Sequence, residues 1–276
     1  MEEKLMTWID THIHIWTQDT KKYPGSDLED FEPKEFMPED ILRHAKPSGV
    51  SRIVMVQIGN YGPDNSILTD TIKRFPGVFG GIGQVDHDGE TIESDMKGLL
   101  EQGITGFRIG AGSDVETWLQ HPGYEQMFKV AAQTGQAICP ITHPPGVPEI
   151  DRMCGEYPDT TVVIDHMTRL AEMQPANDHN IDQLCALSRF PNVYVKISRL
   201  HSQGKKTPPY EDLIPVVNRI IDAFGPDRLM WGSDSPYQVV LATYEDSISL
   251  VRDKLGLSDT DKQKILNDTP AKLFFK

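Results

Sequence analysis

Residues 10–16 read Asp10-Thr11-His12-Ile13-His14-Ile15-Trp16, and they end the first of eight apolar runs that predict β-strands. Side chains on a strand alternate between two faces, so the polar positions share one face and the isoleucines share the other. We expect the polar face, formed by Asp10, His12, His14 and Trp16, to point into a barrel. The apolar face, formed by Ile9, Ile13 and Ile15, should contact outer helices. An open doubly wound sheet would carry a Gly-rich phosphate loop after this strand. The sequence has no such loop there, which favours a closed (β/α)8 barrel.

Strand-like and helix-like segments alternate along the whole chain. The predicted strands are Thr7–Trp16, Arg52–Ile58, Val78–Val85, Gly103–Ile109, Gln136–Thr142, Thr161–Met167, Asn192–Ser198 and Arg228–Ser233. Amphipathic stretches predict helices at Asp64–Phe75, Gly89–Glu101, Tyr124–Thr134, Pro148–Tyr157, Ile181–Phe190 and Tyr210–Phe224. This alternation, without a Pro/Gly-rich linker, predicts a parallel α/β sheet closed as a TIM barrel. We expect a single domain over residues 1–276, with the tail from Ser258 to Phe275 as an extra C-terminal helix over one barrel face.

Charge and cysteine content limit the partners and the compartment. The formal charge is −14, from 41 acidic and 27 basic residues, and such a surface repels nucleic acid and anionic lipid. A small-molecule substrate that carries carboxylates would need local cations in the site. The cysteines, Cys139, Cys154 and Cys185, share no close spacing, which fits a reducing compartment. With no signal peptide and no apolar run of about 18 residues, we expect a cytoplasmic protein whose oligomeric state the sequence leaves open.

Polar side chains recur where the predicted strands end, which is where barrels of this kind keep their chemistry. His143 follows strand 5, His166 lies at the end of strand 6, and Asp234 follows strand 8. His12 and His14, two residues apart on one strand, can ligate a single divalent metal as neutral imidazoles. The H-x-H pattern alone also occurs as a half-exposed strand pair. Burial of so many polar groups costs several kcal/mol unless they find partners, and a shared metal and water would supply them.

Three motifs carry a resemblance to a known family. They are Asp10–Trp16, the Asp165-His166 pair and the stretch Trp231-Gly232-Ser233-Asp234-Ser235-Pro236. Taken in order, they resemble the amidohydrolase superfamily and, within it, the "amidohydrolase 2" branch, over nearly the whole chain. That branch includes sugar lactonases, 2-pyrone-4,6-dicarboxylate lactonase and metal-dependent decarboxylases of the aminocarboxymuconate semialdehyde type.

The resemblance implies a role for each strand-end residue. His12, His14 and Asp234 would form the shared metal-binding core, and His166 would match the histidine that acts on substrate or water. His143 occupies the place where the decarboxylases have a further metal-binding histidine. No lysine ends strand 4 or strand 5, so the carbamylated lysine of the two-metal members has no counterpart. This implies one divalent metal or none, and zinc is the expected ion where a metal is bound.

Three further residues are candidate substrate contacts. Arg108 on strand 4 has small neighbours and could clamp a carboxylate through two parallel hydrogen bonds, or it could be a surface arginine. Lys196 on strand 7 should face inward, to contact substrate or to pair with Asp10 or another neighbour. Tyr61 lies in the rim loop after strand 2.

These residues predict hydrolysis of a lactone, or a related ester-like bond, in a small carboxylated or sugar-derived molecule. Asp234 would take the proton of an attacking water, His166 would donate to the developing oxyanion, and Arg108 would orient the substrate. The alternative is non-oxidative decarboxylation, which gains weight if His143 ligates metal. A non-catalytic barrel that binds a small ligand is the third reading, because fold alone does not prove function.

Overall fold

Eight parallel strands form one sheet in which each strand pairs with the next along the chain. The computed structural model describes residues 7–25, 27–112, 114–172 and 176–275. The strands are β1 (Trp8–Ile13), β2 (Val50–Val56), β3 (Phe79–Gly83), β4 (Ile104–Gly110), β5 (Ala137–Ile141), β6 (Val162–Ile164), β7 (Val193–Ser198) and β8 (Leu229–Gly232). The end of β8 returns to β1, where the His14 N–H donates to the Ser235 carbonyl at 2.7 Å and the Asp234 N–H to the His12 carbonyl at 2.8 Å. The predicted (β/α)8 barrel is confirmed.

Helices separate the strands and surround the sheet. They are α1 (Pro38–Ala45), α2 (Ser66–Arg74), α3 (Ile92–Glu101), α4 (Pro122–Thr134), α5 (Val147–Glu156), α6 (Asp178–Ala186), α7 (Ile214–Phe224), α8 (Tyr237–Leu241), α9 (Tyr244–Ser249), α10 (Asp259–Gln263) and α11 (Thr269–Phe274). Gly135 ends α4 with a φ of 72°, a left-handed conformation that glycine adopts without a Cβ clash. None of the described helices is long and apolar enough to cross a membrane.

The C-terminal tail closes the base of the barrel. Helical residues run without a break from Asp259 to Phe274, as predicted, with a wider helical turn at Lys264–Asp268. Leu273 and Phe274 join the apolar cluster inside the sheet, and the Phe274 carbonyl lies beside Gly80 near the start of β3. The tail therefore covers the face opposite the strand ends that carry the polar residues.

The strict alternation predicted for β1 is wrong at its first half. Register shifts occur between Trp8 and Ile9 and between Asp10 and Ile13, and an extra residue in a strand reverses which side chains face inward. Ile9 belongs to the inner cluster rather than to the helix-facing layer. Asp10 turns away from the barrel axis, and its carboxylate accepts bonds from the Ser233 N–H at 2.9 Å and from the Tyr244 hydroxyl at 2.8 Å.

Candidate active site

Three imidazoles surround one buried carboxylate at the C-terminal ends of β1, β6 and β8. Asp234 Oδ1 lies 3.3 Å from His14 Nε2, 3.6 Å from His12 Nε2 and 3.9 Å from His166 Nε2. All four side chains are buried. The structure thus brings together four of the five residues that the sequence indicated as catalytic or metal-binding.

The Nδ1 atom of each imidazole has its own partner. His14 Nδ1 lies 2.8 Å from the Val56 carbonyl, and His166 Nδ1 lies 2.8 Å from Ser198 Oγ. His12 Nδ1 lies 3.3 Å from Asp165 Oδ1. A carbonyl can only accept, so His14 carries its proton on Nδ1 and presents the Nε2 lone pair to Asp234. A hydroxyl can donate or accept, which leaves His166 free to carry its proton on either nitrogen.

A left-handed backbone places two of these groups. His166, Met167, Thr168 and Arg169 have φ angles of 56°, 52°, 52° and 56°, and Asp234 has a φ of 62°. Such conformations cost side-chain-bearing residues about 1–2 kcal/mol each and collect at functional sites. The turn after β6 aims His166 and Arg169 into the same cavity.

Burial fixes the charge of the cluster. It lowers the pKa of His12 to about 3 and holds the pKa of His166 well below its usual value, so both rings are neutral. Although burial works to raise the pKa of Asp234, the pKa of that carboxyl lies well below its usual range, so it is ionised. Neutral imidazoles around an ionised carboxylate are the protonation states in which these groups bind a metal.

The residues present fit one divalent metal. His12 Nε2 and Asp234 Oδ1 are buried and make no hydrogen bond in the described part of the chain. Ligand atoms of His12, His166 and Asp234 all lie within 4.8 Å of one another. A set of imidazole nitrogens and a carboxylate oxygen suits zinc, and a shared ion would satisfy both unpartnered atoms.

A second group of possible ligands lies at the rim and has a different character. His87, Asp88 and His121 are partly or fully exposed. His121 Nδ1 accepts the Gly123 N–H at 3.2 Å, so its proton sits on Nε2, which faces Asp88 Oδ1 at 3.2 Å. An Nε2 that bears a proton is not available to a metal, and this group is therefore a hydrogen-bonded rim contact.

The cavity above the cluster measures 490 Å³ and carries three guanidinium groups. Arg108 lies 3.7 Å from Asp165 Oδ2 through its Nε atom. Arg199 bridges two carboxylates, with Nη1 3.2 Å from Asp234 Oδ2 and Nε 3.1 Å from Glu172 Oε1. Arg169 also lines the cavity. The wall can therefore hold an anionic group close to the buried carboxylate.

Three of the predicted site residues lie elsewhere. His143 is exposed, and its Nε2 lies 3.2 Å from an Arg169 nitrogen rather than in the cluster, because the chain turns outward after β5 ends at Ile141. The buried Tyr61 hydroxyl accepts the Thr17 N–H at 3.1 Å and braces that loop. Among the described residues, neither Tyr61 nor Lys196 lines the cavity.

Lys196 faces inward as predicted, but its partner is a carboxylate deep in the barrel. Its Nζ lies 3.0 Å from Asp165 Oδ1, and both side chains are buried. Burial acts to raise the pKa of Asp165, but the Lys196 ammonium holds that pKa well below its usual value. Lys196 therefore forms the buried ion pair that the sequence left open as an alternative, and its partner is Asp165 instead of Asp10.

Sequence reasoning missed Arg169, Arg199 and Glu172. Arg199 directly follows β7, so its strand-end position was an available signal, but its φ of 58° reverses the alternation of the strand and turns it to the cavity. His201, just past β7, also lies near this carboxylate, with its Nε2 3.6 Å from Asp234 Oδ2. Tyr237, at the start of α8, lines the same cavity.

Comparisons with known proteins identify the family to which the chain belongs. A family model described as amidohydrolase (Amidohydro_2) matches residues 9–276, and the chain belongs to that family. It is 25% identical to 4-sulfomuconolactone hydrolase of Hydrogenophaga intermedia, over 96% of this chain and 88% of that one. It is 26% identical to L-fucono-1,5-lactonase of Burkholderia ambifaria, over 86% and 83% of the two chains.

Solved structures share the barrel. A Burkholderia multivorans amidohydrolase with bound zinc superposes with a TM-score of 0.83 at 20% identity, over 98% of this chain and 99% of that one. Solved decarboxylases superpose less closely, with a TM-score of 0.67 at 13% identity. The chain is thus an amidohydrolase-family protein whose curated relatives include hydrolases named for lactones.

Proposed function

We propose that this protein is a lactonase that hydrolyses the ring ester of a small lactone bearing a carboxylate or a comparable anionic group. The observation that carries the proposal is the meeting, in one cavity, of a buried carboxylate ringed by imidazoles and three guanidinium groups. Two relatives are named for lactone substrates, one of them sulfonated and therefore anionic. We also propose a reducing, cytoplasmic location, in keeping with three free cysteines.

The proposed roles follow from what each group can do. Asp234 is ionised and buried beside the cavity, so it can accept the proton of an attacking water and return it to the leaving alkoxide. His166 can carry its proton on Nε2 when Nδ1 accepts from Ser198, and so can donate to the developing oxyanion. His12, His14 and Asp234 would hold one divalent metal, with zinc the ion we propose, and His166 would lie beside that ion as a hydrogen-bond donor and not as a ligand. A bound metal would lower the pKa of water and polarise the carbonyl.

Arginines in the wall set the proposed substrate class. With a formal charge of −14, the protein repels anions at long range, so affinity for an anionic lactone must come from local cations. Arg108 and Arg169 can form paired charge-assisted bonds to a carboxylate. Arg199 already contacts Asp234 and would lie beside the reacting ester.

The competing reactions receive less support. A metal-ligating His143 would favour decarboxylation, but His143 is exposed and its Nε2 lies 3.2 Å from an Arg169 nitrogen. A non-catalytic ligand-binding barrel would have no use for an ionised carboxylate held among neutral imidazoles at a cost in burial.

The test uses Asp234→Asn and a panel of carboxylated lactones, with proton release as the readout. Asparagine keeps the shape and one oxygen but is too weak a base, so kcat should fall by about 10²–10⁴-fold while folding and much of the metal binding survive. Asp70→Asn, the same change on the exposed surface beside Tyr23, is the matched control and should keep wild-type turnover. Near-full turnover of Asp234→Asn would move the role of base to His166. Absence of proton release from every lactone with metal-loaded wild type would refute the proposed function.

A further inference from the structure

A buried ion pair lies directly beneath His12 and takes no part in the cavity wall. Lys196 Nζ and Asp165 Oδ1 are 3.0 Å apart, and both side chains are fully buried. The Phe274 ring of the C-terminal tail lies 5.8 Å from Lys196 Nζ and closes the space on the other side. Neither Asp165 nor Lys196 is among the described residues that line the cavity. Substrate contact therefore does not account for the pair.

Both members of the pair reach the same atom of His12. Asp165 Oδ1 lies 3.3 Å from His12 Nδ1, and Lys196 Nζ lies 3.4 Å from it. A carboxylate can only accept a hydrogen bond, and an ammonium group can only donate one. A neutral imidazole carries one proton, so Nδ1 can serve one of these neighbours but not both.

The choice made at Nδ1 decides what His12 presents at the centre of the site. If Nδ1 donates to Asp165, the lone pair of Nε2 faces Asp234 Oδ1, 3.6 Å away, and can bind a metal. If Nδ1 accepts from Lys196, the proton moves to Nε2 and the metal ligand is lost. Asp165 and Lys196 therefore act in opposite directions on His12.

We propose that Asp165 is a positioning residue that holds the proton on His12 Nδ1 and so keeps Nε2 open for a metal, with Lys196 as its buried counter-ion. Lys196 Nζ lies 3.0 Å from Asp165 Oδ1 and 3.4 Å from His12 Nδ1, so the ammonium charge is closer to the carboxylate than to the imidazole. Neither oxygen of Asp165 receives a well-aligned hydrogen bond from the described residues, so the imidazole N–H is the donor it can gain. The inference rests on the metal-binding part of the proposed function and is independent of the substrate.

Zinc affinity of the full-length protein, measured by competition with a chromophoric chelator, tests the proposal without any lactone. Asp165→Asn leaves Lys196 as the charged partner of Nδ1, and we expect zinc affinity to fall by about 10- to 100-fold, the usual effect of losing such a support. Adding Lys196→Met to Asp165→Asn removes the competing donor and should recover part of the loss. Asp10→Asn is the matched control, because Asp10 is equally buried but contacts His12 only at its backbone N–H.

Nitrogen NMR of the zinc-free protein gives an independent readout. The ring signals of His12, assigned by their loss in His12→Asn, should show a protonated Nδ1 in the wild type and a protonated Nε2 in Asp165→Asn. A wild-type protein with the proton on Nε2 would overturn the proposal, whether or not zinc binds. So would an Asp165→Asn variant that binds zinc within about twofold of wild type, or a double variant with no recovery. If Asp165→Asn fails to fold, two measurements still test the proposal. They are the wild-type spectrum and the zinc affinity of the double variant, in which neither residue 165 nor residue 196 carries a charge.

Discussion

Gly232 in β8 controls how closely His12 can approach Asp234, and Gly232→Ala tests this. A Cβ at residue 232 would lie 2.6 Å from His12 Cβ and 3.0 Å from His12 N, whereas ordinary contacts begin at 3.4 Å. The two strands would have to separate by about 0.8 Å, and overpacking of this kind costs about 1–3 kcal/mol. A comparable displacement of a reacting group lowers turnover by about 10²-fold. We expect Gly232→Ala to lose stability and turnover together and to bind zinc more weakly.

The assays are urea unfolding, zinc competition and lactone turnover on the same preparations. Gly98→Ala is the matched control, because a Cβ on this α3 glycine meets nothing within 4 Å. In a helix, alanine should raise the unfolding free energy by about 0.5–1 kcal/mol and leave zinc binding and turnover unchanged. A Gly232→Ala protein with wild-type stability would refute the predicted clash. One that is destabilised but binds zinc normally would refute the link between the strand approach and His12.

Two further predictions concern charge. Arg108→Met should leave folding intact and raise KM by about 10- to 100-fold, because a paired charge-assisted bond to the substrate is lost. Steady-state kinetics and thermal melting measure the two effects. A variant that melts early with unchanged KM would mark Arg108 as a structural partner of Asp165. Burial raises the pKa of Asp10 from 3.8 to about 6, so its contribution to stability is full below pH 3.8 and is lost as the pH rises through 6. The unfolding free energy of wild type relative to Asp10→Asn should therefore fall by about 2 kcal/mol between pH 4.5 and 7 in urea titrations. A constant difference would mean that Asp10 ionises normally in the fold, stabilised by the N–H donors of Ser233 and His12.

The residues that the sequence placed in the site are those delivered by the strands themselves. His12, His166 and Asp234 lie at or just beyond the ends of β1, β6 and β8, and parallel strands bring their carboxyl ends to one rim. The alternation of side chains along β7 also predicted that Lys196 faces the inside of the barrel, but it carried no information on how far below the rim the side chain lies. Because Lys196 sits below the rim, it meets a carboxylate at 3.0 Å instead of a substrate.

The errors fall where the backbone leaves regular geometry. Register shifts in β1 send Ile9 inward and Asp10 outward, and no local sequence signal marks them. His143 and Tyr61 lie at short turns after β5 and β2, at Pro144–Gly146 and Gly59–Tyr61, and these turns direct the two side chains away from the cavity. Hydrophobic periodicity describes a strand and carries no information on the direction of the turn that follows it.

Left-handed turns explain why this site holds more charged groups than alternation allows. His166, Arg199 and Asp234 each adopt a positive φ just after a strand, so the chain reverses locally and turns polar side chains into the cavity. The conformations cost about 1–2 kcal/mol each and need support from the surrounding structure. Part of that support is the buried Gln203, whose amide donates to the His166 carbonyl at 3.3 Å and to the Ser198 carbonyl at 3.1 Å. One side chain thus ties the turn after β6, which carries His166 to Asp234 Oδ1, to the end of β7, after which Arg199 reaches Asp234 Oδ2.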